Sequence, residues 1–349
     1  MCGTVGLFTG CAAAAFCPIS QLTRNQARTD DASAKLDDSL AELPDYRTPF
    51  ANWDRRASVR SSPRRTLSDD TGDLFPADLV PVAKHELVNG LRPELFRELL
   101  TQQLYRYLHF TSKLEFMVVN YVVLGISQGD IQVPIPDQMR FDALKIYCDE
   151  AYHGYFSVDL MRQVRERTGI EPRIDEVPYF LRRLAALKEK HDPAKSGFID
   201  LLFTIVSETL ITASLTEISK SREVSGAVVD ALHDHAVDEG RHHAYFASYL
   251  TYLWASLNRT ERAFAARLFP ELIDVFLRPD VPSIGTELGG YGLQRDEVRQ
   301  VLAETFSERT QADYNRATAS KLLGYLREIE AFDEPGARYE AQSRGLLSG

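Results

Sequence analysis

The stretches DEAYH at residues 149–153 and DEGRH at residues 238–242 repeat one pattern, Asp-Glu-x-x-His. Each copy follows a lone glutamate, Glu115 in the first case and Glu208 in the second. The lone glutamate lies 35 residues before the motif glutamate in the first copy and 31 residues before it in the second. In a helix bundle, two lone glutamates and two Glu-x-x-His pairs can bind two metal ions in the core. The doubled pattern therefore predicts an all-α fold in which four central helices surround a two-metal site.

The second copy contains one more histidine at a helical spacing. Glu150 and His153 are three residues apart and share a helix face. His235 precedes Glu239 by one helical turn, and His242 follows Glu239 by three residues, so these three side chains also share a face. We expect His235 to bind the ion that the second copy holds. The predicted metal ligands are Glu115, Glu150, His153, Glu208, His235, Glu239 and His242.

Glu208 is the only charged residue in the segment 201–215. Because burying an unpaired charge is very costly, a carboxylate in this setting has to be paired, protonated or bound to metal. Taken alone, a protonated or ion-paired core glutamate explains Glu208 as well as a metal ligand does. Taken alone, Glu115 is explained by an ion pair with a neighbour such as Lys113. Two matched copies of the pattern favour the metal site for both.

The donor set restricts the metal. Mixed carboxylates and imidazoles, without thiolates, suit iron or manganese. Asp149 and Asp238 precede the motif glutamates and could hydrogen-bond the free nitrogen of a ligand histidine. The alternative for these two aspartates is a charge on the helix surface. His233 and His243 are rotated away from the ligand face, and we interpret them as ordinary polar residues or as contacts of the ligands.

The composition is that of a globular protein, with 349 residues, 44% hydrophobic and 26% charged. A net charge of −10 disfavours a general nucleic-acid binder. No run of eighteen apolar residues occurs, so we expect no membrane span. The four cysteines form no C-x-x-C pair, which indicates a reducing, cytoplasmic location rather than a disulfide framework. Cys148 is expected to be a small buried apolar residue.

The chain divides into three predicted parts. Residues 1–80 are expected to form a flexible or surface-wrapping arm, residues 81–335 the helical domain and residues 336–349 a C-terminal tail. The predicted helices span residues 92–127, 137–168, 176–190, 195–222, 225–257, 260–277, 294–306 and 309–331. The glycine cluster 285–292 follows no predicted strand and lacks the G-x-G-x-x-G spacing, so we interpret it as a loop rather than a nucleotide site. Reducing equivalents would then come from an external donor.

The doubled E…D-E-x-R-H pattern, with a third histidine four residues before the second motif glutamate, resembles the AurF- and CmlI-like di-iron N-oxygenase family. The resemblance covers roughly residues 90–330 and implies a ferritin-like four-helix bundle with additional helices. His235 is the third histidine. Tyr152 stands where the family pattern has arginine, so the contacts around the ligands are expected to differ there.

The resemblance also implies an activity and its cofactor. Two iron ions, joined by an oxo or peroxo bridge, would use O₂ as co-substrate and take electrons from an external donor. The expected substrate is a primary amine, and an arylamine is favoured over an aliphatic amine. The amine would belong to an intermediate of an antibiotic or another natural product, either free or bound to a carrier protein. Hydroxylamine, nitroso and nitro products are all open. We expect a homodimer in the cytoplasm, with no nucleic-acid or membrane partner.

Three alternatives share the motif. A soluble acyl-carrier-protein desaturase has the same six glutamate and histidine ligands but normally lacks the third histidine, so His235 favours the N-oxygenase. A ferritin-like iron store is usually shorter and takes up many irons per chain. A radical-generating subunit of ribonucleotide reductase needs a tyrosine near the metals, for which Tyr121, Tyr152 and Tyr245 are available.

Overall fold

The computed structural model describes residues 43, 45–68, 72–218 and 224–348, without the side chains of residues 212–218. Within these ranges every named element is a helix. The predicted all-α fold is therefore confirmed. None of the helices in the described parts of the chain combines enough length and apolar character to cross a membrane.

The α-helices are numbered here in chain order. They are α1 (Trp53–Arg56), α2 (Ser58–Ser61), α3 (Glu86–Asn89), α4 (Pro93–Leu114), α5 (Asn120–Gln128), α6 (Asp137–Thr168), α7 (Tyr179–Lys188), α8 (Ser196–Ile218), α9 (Gly226–Ser256), α10 (Arg259–Leu277), α11 (Val281–Gly290), α12 (Arg295–Thr305), α13 (Glu308–Thr318), α14 (Ser320–Glu328) and α15 (Pro335–Ser343). Short 3-10 turns occur at Ala77–Leu79, Pro81–Lys84, Pro193–Lys195 and Ala331–Asp333.

Four long helical segments form the ferritin-like bundle. In the first, one π-helical turn, Glu115–Val119, joins α4 to α5 without a break; the other three segments are α6, α8 and α9. Helices α4 and α5 pack against α6, and α9 packs against both α6 and α8. Glu115 begins the π turn, and such widened turns are frequent at functional sites.

Helix α8 explains why further helices surround the bundle. Every side chain from residue 201 to residue 211 is buried. A helix that is apolar all round has to be enclosed on every side, and α8 contacts α10 as well as α9. Helix α10 begins with a capping box, in which the Asn258 side chain accepts a hydrogen bond from the Glu261 backbone N–H at 3.0 Å.

Residues 45–68 lie across α6 and α9. Arg64 pairs with Asp159 of α6 at 2.8 Å, and Arg65 pairs with Asp234 of α9 at 2.8 Å. This part of the predicted arm therefore covers the bundle on the side where α6 and α9 meet. Most of the remaining arm lies outside the described residues, and the limits of the three predicted parts stay predictions.

The interpretation of the glycine cluster as a loop is wrong. Its first three glycines lie in α11, and the Asp280 side chain accepts a hydrogen bond from the Ser283 backbone N–H at 3.3 Å at the start of this helix. A Cβ atom on Gly285 would lie only 3.0 Å from Leu302 Cδ1 of α12. Close packing of α11 against α12 thus outweighs the poor helix propensity of glycine.

Two smaller predictions also need correction. The helix expected at 309–331 is interrupted at Ala319, which separates α13 from α14. Cys148 is exposed rather than buried, because the inward face of α6 at this point is formed by Ile146, Asp149 and Glu150. The other three cysteines lie outside the described residues.

Candidate metal centre

All seven predicted ligands are fully buried, and all project into the bundle from its four segments. The π turn carries Glu115, α6 carries Glu150 and His153, α8 carries Glu208, and α9 carries His235, Glu239 and His242. Each Glu-x-x-His pair lies on one helix, as the spacing of three predicts. The fold thus brings residues from across 128 positions of the chain, 115 to 242, to one place in the core.

Six of these residues form two overlapping groups whose donor atoms could each hold a metal ion. The first group consists of Glu150, His153, His235 and Glu239, and the second of Glu150, Glu208, Glu239 and His242. Within each group the donor atoms lie within 4.8 Å of one another. Glu150 and Glu239, the glutamates of the two motif copies, belong to both groups. This arrangement suits two adjacent ions with two shared carboxylates.

Glu150 lies between the motif histidines. Its Oε2 is 2.8 Å from His153 Nδ1, and its Oε1 is 2.6 Å from His242 Nδ1. Glu239 is also near both rings, with Oε1 at 3.5 Å from His153 Nδ1 and 3.3 Å from His242 Nδ1. Both histidines therefore direct the same ring nitrogen, Nδ1, toward the shared carboxylates.

The other nitrogen of each histidine contacts an aspartate of the opposite motif copy. His242 Nε2 lies 3.2 Å from Asp149 Oδ2, and His153 Nε2 lies 3.0 Å from Asp238 Oδ2. An ionised carboxylate can only accept, so each contact fixes a ring proton on Nε2. A bound metal would take the place of the proton that Nδ1 shares with the glutamates. The contacts match the hydrogen bonds expected of both aspartates, and they cross between α6 and α9.

His235 occupies a place of its own in the cluster. Its Nε2 lies 3.1 Å from Glu239 Oε1, and its ring centroid lies 4.2 Å from that of His153. Phe156 packs edge-on against both rings, with centroids 5.7 Å away in each case. His235 is therefore grouped with His153, while Glu239 links it to the second group as well. The expectation that it binds the ion of the second copy stays a prediction.

Glu115 lies beside the two groups rather than within either. Burial raises the pKa of its carboxyl well above the ordinary value, and the carboxylates of Glu150, Glu208 and Glu239 raise it further. These electrostatic neighbours place Glu115 next to the cluster.

The buried charges of the cluster depend on one another. Burial raises the pKa of Glu208 well above the ordinary value, and the neighbouring carboxylates of Glu239 and Glu150 add to this effect. Burial alone would lower the pKa of His242, but those same two carboxylates raise it well above the ordinary value. Burial also raises the pKa of Asp149, although its hydrogen bond with His242 opposes the shift. The pKa of Asp238 falls to about 2, because hydrogen bonds from its neighbours outweigh burial.

Several of the buried donor atoms have no hydrogen-bond partner in the described part of the protein, and a metal ion could bind them. Among the described residues, both carboxylate oxygens of Glu115 and of Glu208 have no hydrogen-bond partner, nor do Glu239 Oε2 and His235 Nδ1. An unsatisfied polar atom in a protein core costs about 1–3 kcal/mol, and more when it is charged. Bound cations would satisfy these atoms together, and carboxylate with imidazole is a donor set that suits iron or manganese.

Residues 45–68 make contacts with the motif aspartates that helical spacing does not predict. Trp53 Nε1 donates to both carboxylate oxygens of Asp149 at 2.9 Å, and the Ser58 backbone N–H donates to Asp238 at 3.2 Å. Both residues are more than 90 positions away from the aspartates that they contact. No helical periodicity relates residues so far apart, although Trp53 is one of only two tryptophans in the chain.

A ferritin-like bundle with two overlapping groups of buried glutamates and histidines is the architecture shared by the carboxylate-bridged dimetal proteins. Comparison with known protein families shows to which family the chain belongs. The model of the family described as "P-aminobenzoate N-oxygenase AurF" matches residues 47–330, and the chain belongs to this family. It is therefore an oxygenase.

The chain is also similar to a relative of named activity. The chain is 23% identical over 260 residues to the 4-aminobenzoate N-oxygenase of Streptomyces thioluteus. The alignment covers 70% of this chain and 75% of that protein. The family resemblance predicted from the doubled motif is confirmed.

Proposed function

We propose that this protein is an O₂-dependent N-oxygenase that uses two iron ions to oxidise a primary arylamine to a hydroxylamine, nitroso or nitro product. The observation that carries the proposal is the pair of overlapping, buried ligand groups in a chain of the N-oxygenase family. The relative from Streptomyces thioluteus is named for oxygenation of 4-aminobenzoate, which favours an aromatic amine.

The seven buried residues are the proposed iron ligands. Glu150 and Glu239 would contribute to holding both ions, because both groups contain them. The remaining ligands are Glu115, His153, Glu208, His235 and His242. When reduced by an external electron donor, the bound iron would activate O₂ for oxygen transfer to nitrogen. The enclosing helices keep bulk water away from these residues, which strengthens the electrostatic interactions among them.

A cavity of about 880 Å³ along α4 is the proposed site for the amine. Its wall includes Tyr107, Phe110, Tyr179, Phe180 and Phe276. The Phe110 ring centroid lies 4.6 Å from that of Phe180 and 5.5 Å from that of Phe276. The volume lies in the range of small-molecule pockets, and aromatic walls favour a planar aromatic ligand.

Tyr107 connects this cavity with the metal cluster. It lines the cavity and precedes Glu115 by eight residues, with Thr111 midway, so the three residues lie along one face of the helix. Burial raises the pKa of Tyr107; Thr111 opposes this shift, while the carboxylates of Glu239 and Glu115 reinforce it. The Tyr107 hydroxyl therefore stays protonated, and it is buried near the carboxylates of Glu115 and Glu239 while the residue forms part of the cavity wall.

The charges around the cavity point to a substrate without a carboxylate. Each arginine that lines it is already paired with an acidic residue, and a substrate carboxylate would have to displace one of these partners. The pairs are Arg106 with Glu287 at 2.5 Å, Arg278 with Asp274 at 2.8 Å, and Arg173 with Glu98. We therefore propose that the preferred arylamine is uncharged at the ring position opposite its amine.

Substitution of Glu287 tests this proposal about the charge of the substrate. Glu287→Gln should release Arg106 and strengthen 4-aminobenzoate binding about tenfold, since a hydrogen bond between charged groups contributes ~1.5–3 kcal/mol. Binding of the uncharged 4-aminobenzamide should stay unchanged. Both affinities are measured by calorimetry on the metal-loaded protein. Glu271→Gln is the control, because Glu271 pairs with Lys190 outside the cavity lining. Wild-type preference for 4-aminobenzoate over 4-aminobenzamide would contradict the proposal.

The reaction itself is tested by isotope labelling. Reduced, iron-loaded protein is mixed with ¹⁸O₂ and a panel of arylamines, alkylamines and acyl-carrier-bound fatty acids. We expect ¹⁸O on the nitrogen of an arylamine and about two irons per chain, as in other dimetal bundles of this kind. A desaturated acyl chain without label would instead identify a desaturase. Uptake of many irons per chain, with no organic product, would identify an iron store.

A further inference from the structure

The segment of residues 50–58, here called the clasp, contacts both of the aspartates that hold the motif histidines. It lies where α6 and α9 meet and includes all of α1 and the first residue of α2. At one end of the clasp, Phe50 is fully enclosed and stacks on His242, with ring centroids 6.1 Å apart and an interplanar angle of 28°. The clasp thus contacts the cluster from outside the four-helix bundle.

Trp53 holds the aspartate on α6. Its indole Nε1–H donates to Asp149 Oδ1 and Oδ2, both at 2.9 Å. Asp149 Oδ2 in turn lies 3.2 Å from His242 Nε2. A continuous chain of hydrogen bonds therefore runs from the clasp through Asp149 to a proposed ligand of α9.

Ser58 holds the aspartate on α9 in the same way. Its backbone N–H lies 3.2 Å from Asp238 Oδ2, and its hydroxyl donates to the same oxygen. Asp238 Oδ2 lies 3.0 Å from His153 Nε2, and Arg241 donates to the other oxygen, Oδ1. The second chain of hydrogen bonds thus runs from the clasp through Asp238 to a proposed ligand of α6.

We propose that the clasp is a positioning element for the metal centre, in which Trp53 and Ser58 orient one motif histidine each. The physical reason is that an aspartate with a free oxygen can rotate, whereas one fixed by a neutral donor holds its histidine with the proton on Nε2 and Nδ1 toward the cluster. Trp53 acts on His242 through Asp149, and Ser58 acts on His153 through Asp238. The proposal rests on the proposed dimetal site.

Single substitutions separate the two arms of the clasp. Trp53→Phe removes the indole N–H and keeps a ring, and Ser58→Ala removes the hydroxyl. The first readout is ¹⁵N NMR of the histidine side chains in metal-free protein. We expect Trp53→Phe to shift the Nε2–H resonance of His242, because its hydrogen bond to Asp149 is no longer held in place, and Ser58→Ala to shift the Nε2–H resonance of His153 in the same way. Each variant should leave the signals of the other histidine unchanged, and Ser58→Thr should restore the wild-type spectrum.

The second readout is the rate at which iron-loaded protein loses its metal to a chelator. Each variant should release one of its two ions about tenfold faster, since outer contacts of metal ligands typically change affinity by 10–100-fold. Tyr46→Phe is the matched control. Tyr46 belongs to the same arm and donates to a buried carboxylate on α6, Asp142 at 2.9 Å, but Asp142 contacts none of the proposed ligands. Metal release and NMR spectra of this variant should match the wild type.

The outcomes distinguish failure of this proposal from failure of the proposed function. Unchanged histidine signals and unchanged metal release in Trp53→Phe and Ser58→Ala would overturn the role of the clasp. Equal acceleration in Tyr46→Phe would also overturn it, because the arm would then only stabilise the fold. A wild-type protein that binds no iron would instead refute the proposed function, and the NMR measurement on metal-free protein would still decide the role of the clasp.

Discussion

Glu239→Ala is expected to abolish binding of both metal ions and to lower N-oxygenation by more than about 100-fold, beyond the 10–100-fold typical of outer contacts. Glu239 belongs to both ligand groups. Its Oε1 lies 3.1 Å from His235 Nε2 and 3.3 Å from His242 Nδ1, so one carboxylate contacts ligands of each group. Its removal leaves both groups incomplete, and metal content after reconstitution and gel filtration should fall well below one ion per chain.

Glu208→Ala provides the comparison, because Glu208 belongs to one group only. This variant should retain about one ion per chain yet lose the activity, since the proposed chemistry requires two adjacent metals. Circular dichroism should show that both variants keep their helices, because removal of a buried carboxylate leaves the apolar packing of α8 and α9 in place. Equal metal loss in the two variants would argue against Glu239 as the shared ligand.

The bundle and the cluster were predictable because both follow from helical geometry. A spacing of three or four residues places side chains on one helix face, so the spacing alone groups Glu150 with His153 and Glu239 with His242. Burial of the isolated Glu208 followed from its apolar segment, and the structure encloses it fully. These predictions use only neighbours along one helix and a pattern that occurs twice.

The remaining features depend on contacts between segments that are far apart in the sequence, and helical spacing does not predict such contacts. The glycine-rich α11 forms a helix because Gly285 allows close approach to Leu302 of a later helix. Trp53 and Ser58 contact the aspartates because residues 45–68 cross α6 and α9, and nothing in the local composition of this segment indicates where it lies. The cavity beside α4 likewise arises from loops and helices brought together only by folding.

Two separate sets of residues therefore lie next to the proposed ligands. Tyr107 links the cavity to the cluster along α4, on the side where a substrate would enter. The clasp, residues 50–58, supports the motif histidines through Asp149 and Asp238 where α6 meets α9. In this arrangement the residues that would recognise the substrate differ from those that orient the histidine ligands of the metals. Substitutions in one set should leave the other intact.

His235→Ala is expected to keep about two metal ions per chain and to lower N-oxygenation at least about tenfold, which is at the lower end of effects seen when contacts of a metal site are removed. Six of the seven proposed ligands remain in this variant, including both shared glutamates. His235 nevertheless contributes an imidazole that has no counterpart before the first motif copy, and its Nδ1 has no hydrogen-bond partner among the described residues. Loss of the His235 imidazole should therefore change the coordination of one ion, whereas the number of ions bound per chain should stay nearly the same.

His233→Ala is the control for this prediction, because His233 lies on the same helix two residues earlier but is exposed. It should retain wild-type metal content and activity. Mössbauer spectra of ⁵⁷Fe-loaded protein provide a readout that does not depend on turnover. The wild type should show two unequal iron environments, because only one ion would have the additional imidazole. In His235→Ala the two environments should become more alike, whereas full activity with an unchanged spectrum would show that His235 is not a ligand.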